Sequence, residues 1–443
     1  MKYKKFVFDN YHYDPSISIL SLRYRFDEGP RFEEKLFFEF APQHISLAAR
    51  GVLDRIFRLI FLLSGVSYYK AFIPKLLVCE AFEFDQQTGE FLHKFYEKGL
   101  AEFAYRNRIS LRDHFHFRSS CAPAPLPLAV DLSNRVLVPV GGGKDSIVTI
   151  ECLKEAGQPL ILFALGDADP IKACIATADL PCIRVDRLLD KTLFELNRTG
   201  ALNGHVPITG ILSAIALAGA VMSGCNAVVM SNEHSASAPN LKFDGIDINH
   251  QYSKSFEFEQ AFAEYVERFI SPDIQYFSLL RPFSEIEITR RFSKLSRYFG
   301  VFRSCNTAFR QTRAVRGRHW CGNCPKCRFV FLALAPFVAK QELIGIFGRN
   351  LLDDPAQCDG FAELCGLQKH KPFECVGETS ECAAVLAYLG ANQDWRSNSV
   401  VQQLHERFPS VREITPAEYH ALFELRRPHQ VPDSYMAYLN ACG

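Results

Sequence analysis

Residues 136–150 read VLVPVGGGKDSIVTI. An apolar, valine-rich run suited to a buried strand ends in Gly141, Gly142 and Gly143, and an apolar pattern of helical period follows Lys144, Asp145 and Ser146. A turn from strand to helix aims unpaired amides and the positive helix end at one point, the geometry that holds an anion. Glycine removes the β-carbon that would keep a phosphate away from the backbone. The plain alternative is a tight turn with no ligand. A Walker A loop needs glycine where Val138 stands and Ser or Thr where Asp145 stands, so that reading fails. A dinucleotide fingerprint wants a third small residue where Ser146 stands, and matches only in part through the acids Asp167 and Asp169 further on.

A second constellation is Cys305, Cys321, Cys324 and Cys327, spaced C-x15-C-x2-C-x2-C. The close trio can wrap one metal ion with thiolates while Gly322, Pro325 and Lys326 supply turn chemistry and positive charge. Zinc is the first reading, an iron–sulfur cluster the second and bare thiols the third. Four sulfur ligands close the coordination sphere, so a zinc here is a structural clip with no position for water.

The elements that must position these groups are legible in the surrounding texture. Residues 1–120 open with alternating segments (KKFVFDNYHY, SISILSLRYRF, KLFFEF), read as antiparallel strands, and continue with helical periodicity, which makes an α+β unit. The proline-rich CAPAPLPLAVDLSN ends that unit. Residues 130–282 alternate short apolar strands with helices, the pattern of a parallel sheet covered on both faces whose ligands bind at the carboxyl ends of the strands. Residues 283–340 form a helical region with the cysteines, and 341–443 a helical C-terminal region. The stretch 208–230 approaches the length of a membrane span, but Ser223, Gly224, Cys225 and Asn226 break it into a buried helix, a turn and a strand.

The chain of 443 residues is 48% hydrophobic and 22% charged, composition of a folded soluble protein with several units. Lys and Arg total 50 against 49 Asp and Glu, which argues against nucleic acid or an anionic membrane as principal partner. No secretory signal precedes Asp9, and with 15 cysteines the expected location is the reducing cytoplasm.

GGGKDS resembles the SGGxDS loop of PP-loop ATP pyrophosphatases, with Gly141 in place of the leading serine. The resemblance implies an adenine-nucleotide α-hydrolase-like (HUP-like) α/β domain that cleaves ATP between its α- and β-phosphates. It implies nucleotide contacts from Gly141, Gly142, Gly143, Lys144, Asp145 and Ser146, with Asp145 ordering the loop or helping to position Mg²⁺. Asp167 lies after the second strand, where adenosine is expected, and Ser231, Asn232 and Glu233 lie at the carboxyl end of another strand. The cysteine pattern is similar to the zinc-binding C…CGxCxxC of 7-deazaguanine synthases.

SGVSYYKAFIP, KGLAEFAYRN, SNEHSAS, HQYSKSFEFE, WCGNCPKC and KPFECVGETSE together resemble the MurL family of peptidoglycan biosynthesis. That resemblance implies ATP- and Mg²⁺-dependent inversion of the terminal L-glutamate of UDP-MurNAc-L-Ala-L-Glu through an acyl-adenylate, with a structural Zn²⁺ alongside. Adenylation removes the carboxylate charge that opposes loss of the α-proton. Candidates for proton transfer are His234, His250, Tyr252 and Lys254, in or beyond loops at strand ends. Substrate contacts are expected from Tyr68, Tyr69, Lys70 and Arg106 of the N-terminal unit, and from Lys371, Gly377, Glu378 and Thr379 as a closing segment. Two other readings stay open. One is an ATP-dependent ligase of the 7-deazaguanine type; the other is a zinc-containing nucleic-acid-binding protein using Arg310, Arg313, Arg316 and Arg318.

Overall fold

A computed structural model describes residues 2–39, 46–120, 124–309, 320–368 and 371–441. Its strands are β1 (Lys5–Asp14), β2 (Ile19–Phe26), β3 (Arg31–Phe38), β4 (Leu76–Cys79), β5 (His116–Phe117), β6 (Ser133–Pro139), β7 (Leu160–Leu165), β8 (Cys182–Leu188), β9 (Cys225–Met230), β10 (Leu241–Phe243), β11 (Ile246–Ile248) and β12 (Gln275–Ser278). Strands β10 and β11 make a separate hairpin, and the others form one ten-stranded sheet in the order β12-β9-β6-β7-β8-β3-β2-β1-β4-β5. The half from β12 to β8 is parallel, as the alternation of strands and helices requires.

The N-terminal strands do not build a sheet of their own. Strand β3 pairs antiparallel with β8, Phe38 opposite Val185 and Leu36 opposite Arg187, so the sheet passes without a break from residues 5–117 into residues 133–278. A buried ion pair pins the seam: Arg187 Nε and Nη2 donate to the two Glu34 carboxylate oxygens at 2.7 and 3.1 Å. The alternation of apolar residues in β1–β3 reveals the strands but not this neighbour, because an outward-facing pattern is the same whichever strand lies alongside.

Successive residues of the central strands serve different cores. Val136, Val138, Leu162, Ala164, Ala227 and Val229 pack on one face with Ile147, Ile286, Val330 and Val385. Leu137, Ile161, Phe163, Val228 and Met230 pack on the other with Ile56, Ile60, Ile215 and Ala218. The second face is covered by helices Leu47–Ser64 and Ile208–Met222. The latter helix, its turn and β9 account for residues 208–230 as the breakers predict, and among the described residues no helix is long and apolar enough to cross a membrane.

Candidate active site

The glycine loop lies at the carboxyl end of β6, and helix Lys144–Glu155 begins directly after it. Gly143 is the N-cap in an extended conformation and, among the described residues, no side chain caps the helix, which leaves its first-turn amides without a capping acceptor there. Gly142 has φ +78°, and a β-carbon there would stand 3.0 Å from Pro170 Cβ, whereas one on Gly141 would meet nothing within 4 Å. The loop is thus held on one side and open on the other. The open side borders a cavity of about 440 Å³.

Lys144, only 5% exposed, does not point to solvent. Its ammonium donates to Asp145 Oδ1 at 2.5 Å and to Glu285. Asp145, Glu233 and Glu285 bring carboxylate oxygens within 4.8 Å of one another. Burial and the neighbouring carboxylates raise the pKa of Glu285 while Lys144 opposes the rise. Glu285 is braced from behind, since its amide donates to Glu381 Oε1 at 3.3 Å.

The same cavity is lined by His205, His250, Lys254 and Cys375, and Lys254 also feels the charges of Glu233, Asp145 and Glu285. His250 Nδ1 lies 2.5 Å from Glu102 Oε2, and the same imidazole hydrogen-bonds the Cys375 side chain. Lys254 Nζ is 3.7 Å from Cys375 Sγ. Burial opposes the imidazolium, yet Cys375 and Glu102 together lift His250 to about 9. Burial likewise opposes the thiolate, yet Lys254 and His250 bring Cys375 down to about 7. His205, whose ring centroid is 4.5 Å from that of His250, is pushed down to about 4, first by burial and then by the His250 charge.

Two scaffolding residues hold this arrangement. The Arg281 side chain is fully buried; it pairs with Glu259 at 2.7 Å and donates to the carbonyls of Glu233 and Lys254 at 2.5 and 2.6 Å, tying two loops that line the cavity. Asn240 accepts from the His250 amide at 3.0 Å and donates to Pro372 O at 3.1 Å.

The sulfurs of Cys305, Cys321, Cys324 and Cys327 lie within 4.8 Å of one another, with the closer pairs at 3.5, 3.6 and 4.0 Å. Tetrahedral zinc with ~2.3 Å bonds separates its sulfurs by about 3.8 Å. This set can hold a metal. It also abuts the cavity, since Ser304, Lys326, Phe329 and Val330 are lining residues.

The cavity collects Gly141, Gly143, Lys144, Asp145, Ser146, Ser231, Asn232, Glu233, His250 and Lys254 from the sequence candidates. Gly142 supports the loop from behind, and Asp167 is half-buried after β7, outside the lining. His234 and Tyr252 border a neighbouring cavity of about 610 Å³, on the far side of the turn that carries His250 and Lys254. Tyr68 and Tyr69 are not brought to either cavity. Both are fully buried in the aromatic core, where the Tyr68 hydroxyl accepts from the Asp190 amide and Tyr69 donates to Pro74 O. Lys70 is buried too, and its ammonium bonds Asn203 and Gly204, next to His205. Arg106 pairs with Glu102 at 2.5 Å and lies over the Phe373 ring.

Glu378 and Glu381 form the capping box of helix Thr379–Ala391, and Gly377 packs where a β-carbon would come within 2.6 Å of Glu381 Oε2. Lys371 is half-buried at the start of this segment. None of the four lines the cavity; the segment presents Cys375 instead. Arg310, Arg313, Arg316 and Arg318 lie outside the described residues. Glu102, His205, Arg281, Glu285 and Cys375 escaped the sequence reading. Glu102 and Cys375 lie inside KGLAEFAYRN and KPFECVGETSE, where neighbouring residues drew notice, and nothing local marks Glu285 or Arg281.

Fold and site together define a mixed α/β protein with a cavity at the carboxyl ends of parallel strands, bordered by the start of helix Lys144–Glu155 and by a titratable cluster. The chain matches the MurL N-terminal domain over residues 1–279 and the MurL C-terminal domain over residues 301–419, and it belongs to the MurL family. Among curated proteins, one from Xanthomonas oryzae pv. oryzae is 39% identical over 419 residues, covering 95% of this chain and 93% of that protein. Another from Salinispora tropica is 40% identical over 435 residues, covering 97% and 94%, and one from Micromonospora sp. is 40% identical over 413 residues, covering 92% and 91%. All three are named UDP-N-acetyl-alpha-D-muramoyl-L-alanyl-L-glutamate epimerase.

Proposed function

We propose that this chain is an isomerase that inverts the terminal L-glutamate of UDP-MurNAc-L-Ala-L-Glu to D-glutamate, with ATP and Mg²⁺, through an acyl-adenylate that leaves AMP and pyrophosphate. The observation that carries this reading is a single cavity joining the uncapped N-terminus of helix Lys144–Glu155 to the cluster of His250, Lys254 and Cys375. Family membership and the name of the relatives support the substrate assignment.

The residues fit a bound triphosphate. Among the described residues, Gly141 leaves space where a β-carbon would intrude, no side chain caps the first helical turn, and the buried Ser231 hydroxyl has no partner. Gly142 to Ser146 hold the β- and γ-phosphates. Lys144 exchanges its carboxylate partners for phosphate oxygens. Asp145, Glu233 and Glu285 form an oxygen donor set suited to Mg²⁺, which would supply charge neutralisation between phosphates. The four cysteines hold zinc as a closed clip.

With the glutamate carboxylate adenylated, the α-proton is acidic enough for a side chain to remove it, and of the sequence candidates His250 and Lys254 face that space. Reprotonation on the other face and hydrolysis complete the inversion. Residues 1–120 provide Glu102, 130–282 the nucleotide site, 283–340 the clip, and 341–443 the segment with Cys375. The reaction is placed in the cytoplasm, with the UDP-linked dipeptide as its small-molecule partner.

The test is incubation with ATP, Mg²⁺ and UDP-MurNAc-L-Ala-L-Glu in D₂O, following AMP, glutamate configuration and α-deuterium together. ATP-dependent D-glutamate carrying α-deuterium is expected. AMP without α-deuterium would transfer the site to ligase chemistry, and neither product would remove the substrate assignment.

A further inference from the structure

The Cys375 sulfur has no part in the metal clip and faces the cavity. Three elements distant in sequence, the sulfur's own among them, meet here. His250 and Lys254 come from the loop and turn after β11, Glu102 comes from helix Ala101–Asn107, and the sulfur itself comes from the segment before helix Thr379–Ala391. Each is fixed by its own bonds. Asn240 joins the His250 amide to Pro372 O, Asn306 donates to Glu374 Oε1 at 2.6 Å, and Arg106 and Tyr105 pack on Phe373. Such bracing is what a site needs to hold a reactive group in one geometry.

We propose that Cys375 is the catalytic base that removes the glutamate α-proton, with His250 and Glu102 aligned behind it and the Lys254 ammonium beside it. The proposal rests on the acyl-adenylate reading above. In the step, the Cα–H bond breaks and an S–H bond forms, and the C–H electron pair passes to the acyl oxygen as an enolate. A solvent-derived proton delivered to the opposite face of the planar carbon gives the D-centre, and water then cleaves the anhydride.

Lys254, 3.7 Å from the sulfur, stands on the side of the leaving proton and offsets the enolate charge. Around the sulfur are His250, Lys254 and Lys326, with Glu102 and His205 behind His250. Burial disfavours the thiolate, but Lys254 and His250 outweigh it and set Cys375 near 7, where a base works at neutral pH. Glu102, His205 and His250 also cluster tightly enough for a cation. The His250 imidazole, however, is already shared between Glu102 and Cys375, which favours a proton relay over a metal site.

The experiment uses the full chain with ATP, Mg²⁺ and UDP-MurNAc-L-Ala-L-Glu, and reads substrate-dependent exchange of labelled pyrophosphate into ATP separately from α-hydrogen exchange in D₂O. Cys375→Ala and Cys375→Ser should keep pyrophosphate exchange and lose α-deuterium incorporation by about 100- to 10,000-fold. His250→Gln should keep pyrophosphate exchange and move the acidic limb of α-exchange to higher pH, a change that a merely structural histidine would not produce.

Wild-type α-exchange in Cys375→Ala overturns the proposal. So does loss of pyrophosphate exchange in that variant, because the sulfur would then serve adenylation or the fold. A glutamyl thioester on acid-quenched wild-type chain, seen by intact mass, would make Cys375 a nucleophile and also overturn it. Absence of pyrophosphate exchange in the wild-type chain would instead remove the acyl-adenylate reading.

Discussion

The backbone amide of Arg303 donates to the carbonyl of Gly142 at 2.7 Å, two residues before Cys305. The segment that leads into the four-cysteine set is therefore tied to the glycine loop at Gly142, whose left-handed backbone (φ +78°) glycine adopts without strain.

With zinc in the four-cysteine set and ATP at the glycine loop, as proposed above, removal of the metal is expected to reach the nucleotide. Chelation, or Cys327→Ser, should lower Tm and weaken ATP binding together, read by zinc content, thermal melts and the ATP-induced rise in Tm. An unchanged ATP affinity in metal-free protein would break the link between Arg303 and Gly142.

Asp145→Asn and Ser146→Ala should abolish pyrophosphate release with the circular dichroism spectrum intact. Turnover retained in both variants would remove the nucleotide from Gly141 to Ser146.

Two adjacent glycines should respond differently to alanine. At Gly142, the left-handed backbone costs a side chain about 1–2 kcal/mol, and the added carbon also crowds Pro170. Gly142→Ala should therefore lower Tm. Gly141→Ala meets nothing and should leave Tm within a degree or so of wild type, while weakening ATP binding because its methyl enters the phosphate space. Equal melting temperatures for the two variants would contradict the geometry.

Removal of Arg281 strands a buried carboxylate. Arg281→Met leaves Glu259 unpaired and releases the carbonyls of Glu233 and Lys254, so stability should fall by about 3–5 kcal/mol in urea titrations. The double variant Arg281→Met, Glu259→Met should recover much of the stability but not the activity.

The pH dependence of His250 and Cys375 runs in opposite senses. His250 is raised from 6.5 to about 9, so its stabilising contribution is complete below pH 6.5 and is lost as pH rises through about 9. Cys375 is lowered from 9.0 to about 7, so its contribution is complete above pH 9 and is lost as pH falls through about 7. Imidazolium and thiolate coexist between these values, which belong to the pair. The two contributions offset one another between pH 7 and 9, so the pair is read spectroscopically: a 240 nm thiolate step near pH 7 is expected in the wild-type chain and should be absent from Cys375→Ser. Absence of that step from the wild-type chain would show that the sulfur is a neutral thiol.

What the sequence discloses is what neighbours in the chain decide. Alternation over residues 5–38, the breakers after Met222, and three glycines before Lys144 each specify local geometry, and the three close cysteines carry their ligand spacing with them. The proton cluster has no such signature. Glu102 and His250 are 148 positions apart, and Lys254 and Cys375 are 121 apart, so only the folded sheet and its loops bring them together. Tyr68 and Tyr69 misdirected attention for the converse reason: an aromatic pair after a helix has the same appearance whether it meets a ligand or, as here, stacks on Tyr24 and packs against Tyr96.

The seam between β3 and β8 also bears on synthesis. While the chain emerges from the ribosome, β3 presents an unpaired edge until residues 182–188 have followed it, and its inward side chains Phe32, Leu36 and Phe38 await their full cover. Either half expressed alone would keep that edge bare and be prone to associate with copies of itself. The two halves act as edge guards for each other.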